Sequence, residues 1–259
     1  MEGPPGTEPV GHAAAPWVDL ASDLGEGMPD DDALLRLVTT AHVSCGRHAG
    51  GPELTAATIA HARRRGVAVS AHPGYDDPAN FGRVPLALAR AELVETIRIQ
   101  LTAFCLLAGG PVAMVKAHGA LYNQGERDAG VAGAIVEAIL LSNASQRIVA
   151  TPGSAMALAG AAAGLEVVRE GFVDRAYEGD GTLRPRRLGG AVHADPAVAA
   201  AQAVSLVVRR GVTAHDGTFV PLEIDTLCVH GDSPGAVAIA RAALAALAAA
   251  GVAVRPVAI

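Results

Sequence analysis

Short hydrophobic runs alternate with longer segments that carry apolar residues at helical spacing along most of the chain. The short runs predict seven strands, at Trp17–Leu20, Ala41–Ser44, Ala68–Ala71, Met114–Lys116, Ile148–Ala150, Val167–Glu170 and Thr226–Val229. Helices are predicted between them, for example over Pro52–Arg64, Arg90–Ala108 and Val131–Leu141. This alternation is typical of parallel βαβ units, which form either a doubly wound sheet or a barrel.

Ionisable side chains follow nearly every predicted strand. In chain order they are Asp23, Glu26, His48, His72, Lys116, His118, Asp174, His230 and Asp232. In a barrel the strand ends converge on one face, whereas in an open sheet they are spread along an edge. We therefore predict a TIM-like (β/α) barrel, and we interpret Gly179–Pro221 as an excursion over its mouth around one helix.

Length, charge and cysteine content narrow the class of protein. A chain of 259 residues suits one α/β barrel, so residues 17–259 are predicted to form a single domain after a disordered tail at residues 1–16. A formal charge of −6 without a basic stripe argues against nucleic-acid binding. No uninterrupted apolar run of about 18 residues predicts a membrane span. Three widely spaced cysteines predict no disulfide framework and fit a reducing cytoplasm.

The first candidate catalytic groups are carboxylates and histidines at strand ends. Asp23 and Glu26 lie three residues apart, and paired carboxylates can act as acid and base, with helix capping as the alternative. A lone histidine in a loop is usually structural. His48, His72 and His118 recur at equivalent strand ends, however, where they can donate, accept or bind a metal.

Two basic residues are candidates for binding anions. Lys116 at a strand end is costly to bury without an anion, so it either stabilises an oxyanion or pairs with a carboxylate such as Asp174. Arg175 can hold a carboxylate through two parallel hydrogen bonds. The motifs GxxxxGK[ST] and GxSxG are absent, so ATP would need an unfamiliar site or a partner protein, and a serine hydrolase is disfavoured.

Seven motifs occur in one order along the chain: Asp23-Leu-Gly-Glu26, Cys45-Gly-x-His48-Ala-Gly, Ala71-His72-Pro, Phe81-Gly82-Arg83, Val115-Lys116-x-His118-Gly119-x-Leu-Tyr122-Asn123, Asp174-Arg175-x-Tyr177 and His230-Gly231-Asp232. With this combination the chain resembles the LamB/YcsF family over nearly its whole length. The resemblance implies a seven-stranded barrel of the glycoside hydrolase/deacetylase type. It also implies one subunit of an ATP-dependent 5-oxoprolinase, which opens the lactam of 5-oxo-L-proline to L-glutamate with ATP as co-substrate and needs two companion subunits.

For that reaction we assign roles as hypotheses. Asp23 or Glu26 acts as the general base for water, His72 and His118 shuttle protons near His48, and Lys116 stabilises developing negative charge. Arg175 is assigned to the carboxylate of the substrate. Further substrate contacts are predicted for Arg83, Tyr122, Asn123, Asp174, His230 and Asp232.

The chain departs from the usual residues of the family at Ala21, His42, Arg47, Gly51 and Ala117. His42 and Arg47 are expected to add positive charge, which favours a more acidic ligand. Two other functions stay open. One is a metal-dependent amide hydrolase or deacetylase in which Asp23, His48 and His72 bind a divalent ion. The other is a non-catalytic paralogue that binds a small acid or a protein.

Overall fold

The structure, a computed structural model, describes residues 16–257. The predicted tail lies outside the described residues except for Pro16, and the division into a tail and one barrel domain stays a prediction. The strands are β1 (Trp17–Leu24), β2 (Thr40–Ser44), β3 (Ala68–His72), β4 (Met114–Val115), β5 (Arg147–Ala150), β6 (Glu166–Phe172), β7 (Gly211–Thr213), β8 (Phe219–Pro221), β9 (Thr226–His230) and β10 (Ala253–Val254).

Helices occupy most of the segments between the barrel strands. They are α1 (Asp31–Leu34), α2 (Pro52–Arg64), α3 (Arg90–Ala108), α4 (Gly119–Gly125), α5 (Ala129–Ser142), α6 (Ala155–Ala162), α7 (Pro196–Val208) and α8 (Ala236–Ala249), with a short 3₁₀ helix at Pro78–Asn80. Within residues 16–257, none of these helices is long and apolar enough to cross a membrane.

Seven parallel strands close into a barrel, which confirms the predicted fold. Their order is β1-β2-β3-β4-β5-β6-β9, and β9 pairs with β1 to complete the ring. The closing register runs from Asp19 opposite Thr226 to Asp23 opposite His230. Because all seven strands point the same way, their carboxyl ends meet on one face.

At the amino ends of the strands, away from that face, the barrel interior carries both polar and apolar side chains. Alternate residues of a barrel strand point inwards. On β1, Asp19 accepts hydrogen bonds from Thr40 at 2.8 Å and from Thr226 at 2.6 Å, which links it to both neighbouring strands. A separate apolar cluster of Met114, Val149, Val168 and Val257 fills the deeper layer. The amino end of the barrel is thus filled by the hydrogen bonds of Asp19 together with apolar side chains.

The segment Gly179–Pro221 does not lie over the mouth as a whole, contrary to our expectation. Its helix α7 packs against α8, so it is the crossover helix between β6 and β9 in the outer layer. The β7–β8 hairpin follows it. The loop before α7 contacts Arg175 through the carbonyl oxygens of Arg184 and Ala191. α7 carries Ala199, Ala203 and Leu206 on its buried face, and this apolar stripe accounts for its position against the barrel.

The turn after β9 permits a test of barrel closure. A Cβ atom at Gly231 would clash with the backbone carbonyl oxygen of Asp23, so Gly231→Ala must push β9 away from β1. We expect the free energy of unfolding to fall by about 1–3 kcal/mol, measured by urea denaturation. Gly189→Ala is the control, because a Cβ there has nothing within 4 Å. Equal stability of the two variants would contradict this account of closure.

Candidate active site

The carboxyl ends of the strands bring all six predicted catalytic residues together. All six are buried and lie at the mouth of the barrel. They are Asp23, Glu26, His48, His72, Lys116 and His118. The loops that follow β1 and β2 approach each other closely at this point. Gly50 has a φ of 76°, and a Cβ there would clash with the carbonyl oxygen of Gly25. Glycine at position 50 therefore lets the loop with Glu26 meet the loop with His48.

Lys116 is the only lysine in the sequence, and its ammonium is buried. Its Nζ lies 2.9 Å from Asp23 Oδ1 and 2.7 Å from Glu170 Oε1. Burial disfavours the charge, but Asp23 and Glu170 raise the pKa of Lys116 well above its usual value. Burial also acts against ionised Asp23, yet Lys116 and then His72 hold the pKa of that carboxyl well below its usual range. Lys116 and Asp23 are thus both charged. The partner suggested from the sequence, Asp174, is not the one found.

Glu170 and His42 lie below this ion pair inside the barrel. Burial raises the pKa of Glu170, although Lys116 opposes the shift. His42 is fully buried with its Nε2 4.0 Å from Glu170 Oε1, and burial and then Lys116 lower its pKa well below the usual value. His42 is therefore neutral at pH 7, and the expected gain of positive charge there is wrong. The charge of Arg47 is offset by Asp76 at 3.3 Å.

Glu26 and three histidines form a second cluster beside the ion pair, which we call the Glu/His group: Glu26, His48, His72 and His118. One ligand atom from each lies within 4.8 Å of the others, so these residues could hold a metal ion. Burial opposes the charge of Glu26, but hydrogen bonds from His118 and His48 hold its pKa well below the usual value. We predicted Asp23 as a metal ligand together with His48 and His72, but Asp23 is not part of this group and accepts the Lys116 hydrogen bond through Oδ1.

The opposite wall of the mouth carries the predicted substrate-binding residues Asp174 and His230. His230 Nδ1 lies 2.9 Å from Asp174 Oδ1, and Ser233 Oγ donates to Asp174 Oδ2 at 2.6 Å. Burial favours the neutral acid, but His230 and Ser233 lower the pKa of Asp174 to about 2. The ring of His230 stacks on Phe172 with centroids 5.4 Å apart. Asp174 is thus an ionised anchor for His230.

Three guanidinium groups gather near this wall. Arg175 is buried and donates to the backbone carbonyl oxygens of Ala191 and Arg184. Burial, with Arg186 and Arg83 nearby, lowers the pKa of Arg175 to about 10. Arg83 forms an ion pair with Asp232 and remains partly exposed. The mouth is therefore positive on this side, and Arg83 and Arg186 are more accessible than Arg175.

Tyr122 and Asn123 lie on α4 near a cavity of about 290 Å³. Tyr122 is buried with its hydroxyl 3.1 Å from Thr151 Oγ1, whereas Asn123 lines the cavity together with Glu126, Thr151 and Ser154. Burial raises the pKa of Glu126 to about 7, against the opposing effect of Thr151. Of these two predicted substrate contacts, Asn123 lines the cavity and Tyr122 does not.

Our sequence reasoning missed Glu170 and Glu126. Glu170 falls within a predicted strand, and two-residue alternation from Phe172 at the strand end places it on the inward face. That signal could have found it. Glu126 follows α4 in a polar stretch that resembles an ordinary surface turn, and its sequence carries no signal of burial.

The sequence and the fold of this chain are similar to those of known proteins. The sequence profile of the LamB/YcsF family matches residues 18–259. The 5-oxoprolinase A subunit of Methylococcus capsulatus is 47% identical over 243 residues, with 91% of this chain and 94% of that protein covered. The 5-oxoprolinase A subunit of Symbiobacterium thermophilum is 44% identical, with 92% and 94% covered. The crystal structure of a lactam utilization protein from Thermus thermophilus superposes with a TM-score of 0.84 at 39% identity, covering 92% and 99%.

The buried ion pair predicts a specific pattern of stability. Lys116→Met leaves the Asp23 carboxylate buried without its cation, so we expect a loss of about 3–5 kcal/mol in the free energy of unfolding at pH 7. Adding Asp23→Asn to Lys116→Met should recover part of that loss, because the unpaired charge is removed. Urea denaturation of the four proteins of this cycle measures both effects. Arg98→Met, which breaks a surface pair, should leave the midpoint unchanged. If the losses of stability in the two single variants simply added up in the double variant, the result would contradict direct coupling between Lys116 and Asp23.

Proposed function

Because this chain belongs to the LamB/YcsF family, we propose that it acts as the A subunit of an ATP-dependent 5-oxoprolinase and binds the lactam during ring opening. The observation that carries the proposal is the buried ammonium of Lys116, next to Asp23 and the Glu/His group at the mouth of the barrel. A buried cation in such a position strongly stabilises negative charge that develops on an amide oxygen.

The substrate explains the need for ATP. A five-membered lactam is an unstrained, resonance-stabilised amide, so its hydrolysis gains little driving force from the ring. We propose that a phosphoryl group moves from ATP to the lactam oxygen, which makes the ring carbon electrophilic and releases ADP. Water then adds to that carbon, and the C–N bond breaks to give an acyl phosphate. A second water hydrolyses the acyl phosphate to L-glutamate and phosphate.

Among the carboxylates, Asp23 is the better candidate for the general base. Its Oδ1 accepts the Lys116 hydrogen bond, which leaves Oδ2 for a water molecule. Glu26 Oε1 already lies 3.1 Å from His48 Nε2 and 3.3 Å from His118 Nδ1. Proton transfer by His72 and His118 stays a prediction.

The positive wall of the mouth suits the anionic groups of the substrates. Arg175 already donates to two backbone carbonyls, so we assign the carboxylate of 5-oxoproline to Arg83 instead. Arg83 would exchange Asp232 for the substrate, as its partly exposed side chain allows. Asp174, His230, Tyr122 and Asn123 remain proposed substrate contacts.

We assign ATP to the assembled enzyme rather than to a nucleotide site within this chain. The sequence has no phosphate-binding glycine loop. The relatives are named as the A subunit of their enzyme, which implies further subunits, and we propose two companions for this chain. Its three cysteines are free, which fits our proposal of a cytoplasmic location.

Reconstitution tests this function. We expect the chain, mixed with two companion subunits from its own source, to release glutamate from 5-oxoproline only when ATP is present. Asp23→Asn should slow release by about 100-fold or more, since it removes the base and one partner of Lys116. Glutamate and ADP are measured in the same reaction. Glu95→Gln, on the exposed face of α3, is the matched control and should retain full activity.

A control reaction checks that the companion subunits are active: the A subunit from Methylococcus capsulatus replaces this chain. If that relative supports turnover and this chain does not, the proposal is wrong. Release of glutamate without ATP would instead favour the metal-dependent amide hydrolase. Wild-type rates for Asp23→Asn would remove Asp23 from the mechanism.

A further inference from the structure

Two histidine nitrogens in the Glu/His group face each other at hydrogen-bond distance. His72 Nδ1 lies 2.9 Å from the carbonyl oxygen of Lys116, and His118 Nε2 lies 2.9 Å from the carbonyl oxygen of Phe81. A carbonyl oxygen only accepts, so both of these nitrogens carry the ring hydrogen. A neutral imidazole has one N–H. If both rings are neutral, the remaining nitrogens, His72 Nε2 and His118 Nδ1, carry bare lone pairs only 3.0 Å apart.

A carboxylate oxygen adds to this concentration of lone pairs. Glu26 Oε1 lies 3.3 Å from His118 Nδ1, 3.8 Å from His72 Nε2 and 3.1 Å from His48 Nε2. The four residues are almost entirely buried, so water has little access to separate these acceptors. Acceptors at such distances repel one another unless a cation lies between them.

The spacing matches the first coordination shell of a small divalent ion. Zinc binds imidazole nitrogen and carboxylate oxygen at about 2.0–2.2 Å, which puts neighbouring donors of a tetrahedron about 3.3–3.5 Å apart. Four of the six separations between these donor atoms run from 3.0 to 3.8 Å around that value, and all six lie within 4.8 Å. Three imidazoles and one carboxylate also suit transition ions better than Mg²⁺ or Ca²⁺, which prefer oxygen.

We propose that Glu26 Oε1, His48 Nε2, His72 Nε2 and His118 Nδ1 bind one divalent transition-metal ion, with zinc as the best match. The carbonyl oxygens of Lys116 and Phe81 fix the ligand tautomers, as outer partners of metal-bound histidines commonly do. This inference rests on the four side chains and does not require 5-oxoproline to be the substrate.

The backbone around the group holds the rings in this arrangement. A Cβ at Gly74 would lie 2.7 Å from His48 Nδ1, and one at Gly82 would lie 2.8 Å from His48 Cβ and 3.1 Å from His118 Cδ2. His48 and His118 stack with centroids 3.8 Å apart and planes within 4°. The glycine backbones keep these two rings close together. Because an imidazole lone pair lies in the plane of its ring, the parallel rings must tilt towards each other before His48 Nε2 and His118 Nδ1 can bind one ion.

The competing explanation is a proton. If His118 carries hydrogens on both nitrogens, its Nδ1–H can bridge His72 Nε2 and Glu26 Oε1, and no metal is needed. The two explanations differ in the metal content of the protein, because only the first requires one metal ion per chain.

The test measures metal on the full-length chain alone, without ATP, 5-oxoproline or companion subunits. The chain is purified without a metal-affinity tag and analysed by plasma mass spectrometry. Chelated protein is then titrated with Zn²⁺ and Co²⁺, and Co²⁺ reports a four-coordinate site by its visible absorption. We expect one equivalent of metal per chain. His72→Gln and Glu26→Gln should each weaken binding by about 100-fold or more, while His61→Gln, a histidine on the surface of α2, should not.

A folded wild-type chain that contains no stoichiometric metal and shows no saturable Co²⁺ or Zn²⁺ binding would overturn the proposal. The proposal would also be overturned if His72→Gln and Glu26→Gln left metal binding unchanged while His61→Gln abolished it. Circular dichroism establishes that each variant is folded. Because no substrate is present, failure of this test leaves the proposed lactam opening intact, and failure of the reconstitution assay leaves the metal inference intact.

Discussion

The burial of the Lys116 ammonium is the constraint on which the site depends. Moving such a charge out of water costs several kcal/mol, and only close, well-oriented counterions offset that cost. Asp23 on β1 and Glu170 on β6 supply them, so the ion pairs tie together strands from separate parts of the chain. The barrel must close for this contact to exist. The same dry surroundings make the charge effective on a substrate oxygen, since little water screens it.

Burial and nearby charges also set the protonation of the neighbouring side chains. The two sides of the mouth differ in the result. On one wall, burial holds His72 neutral, with a pKa of about 3, beside an ionised Glu26. On the other, Asp174 is ionised and anchors His230 near the guanidinium groups. The first wall thus collects electron-pair donors suited to a cation, whereas the second collects positive charge suited to an anion. Lys116 and Asp23 lie beside the first wall, where we place the lactam oxygen.

Sequence periodicity predicted the alternating strands and helices, because short apolar runs and apolar stripes differ in period. The ionisable residues after the strands then favoured a barrel over an open sheet. Helices α2 and α3 begin and end where predicted. The convergence of Asp23, His72 and Lys116 followed from parallel strands alone. The partners of Lys116 did not, because contacts across a barrel depend on register and on which residues face inwards. The neutral state of His42 and the position of α7 also required the packed structure.

We place the lactam next to Lys116, and because the sequence contains a single lysine, this contact is directly measurable. In the assembled enzyme, with only this chain labelled by ¹⁵N-lysine, nuclear magnetic resonance should show one side-chain signal, from Lys116. The account predicts that 5-oxoproline without ATP shifts this signal, and that the shift saturates over the concentration range that saturates turnover. A signal that stays unchanged at saturating 5-oxoproline would place the substrate elsewhere and contradict the account.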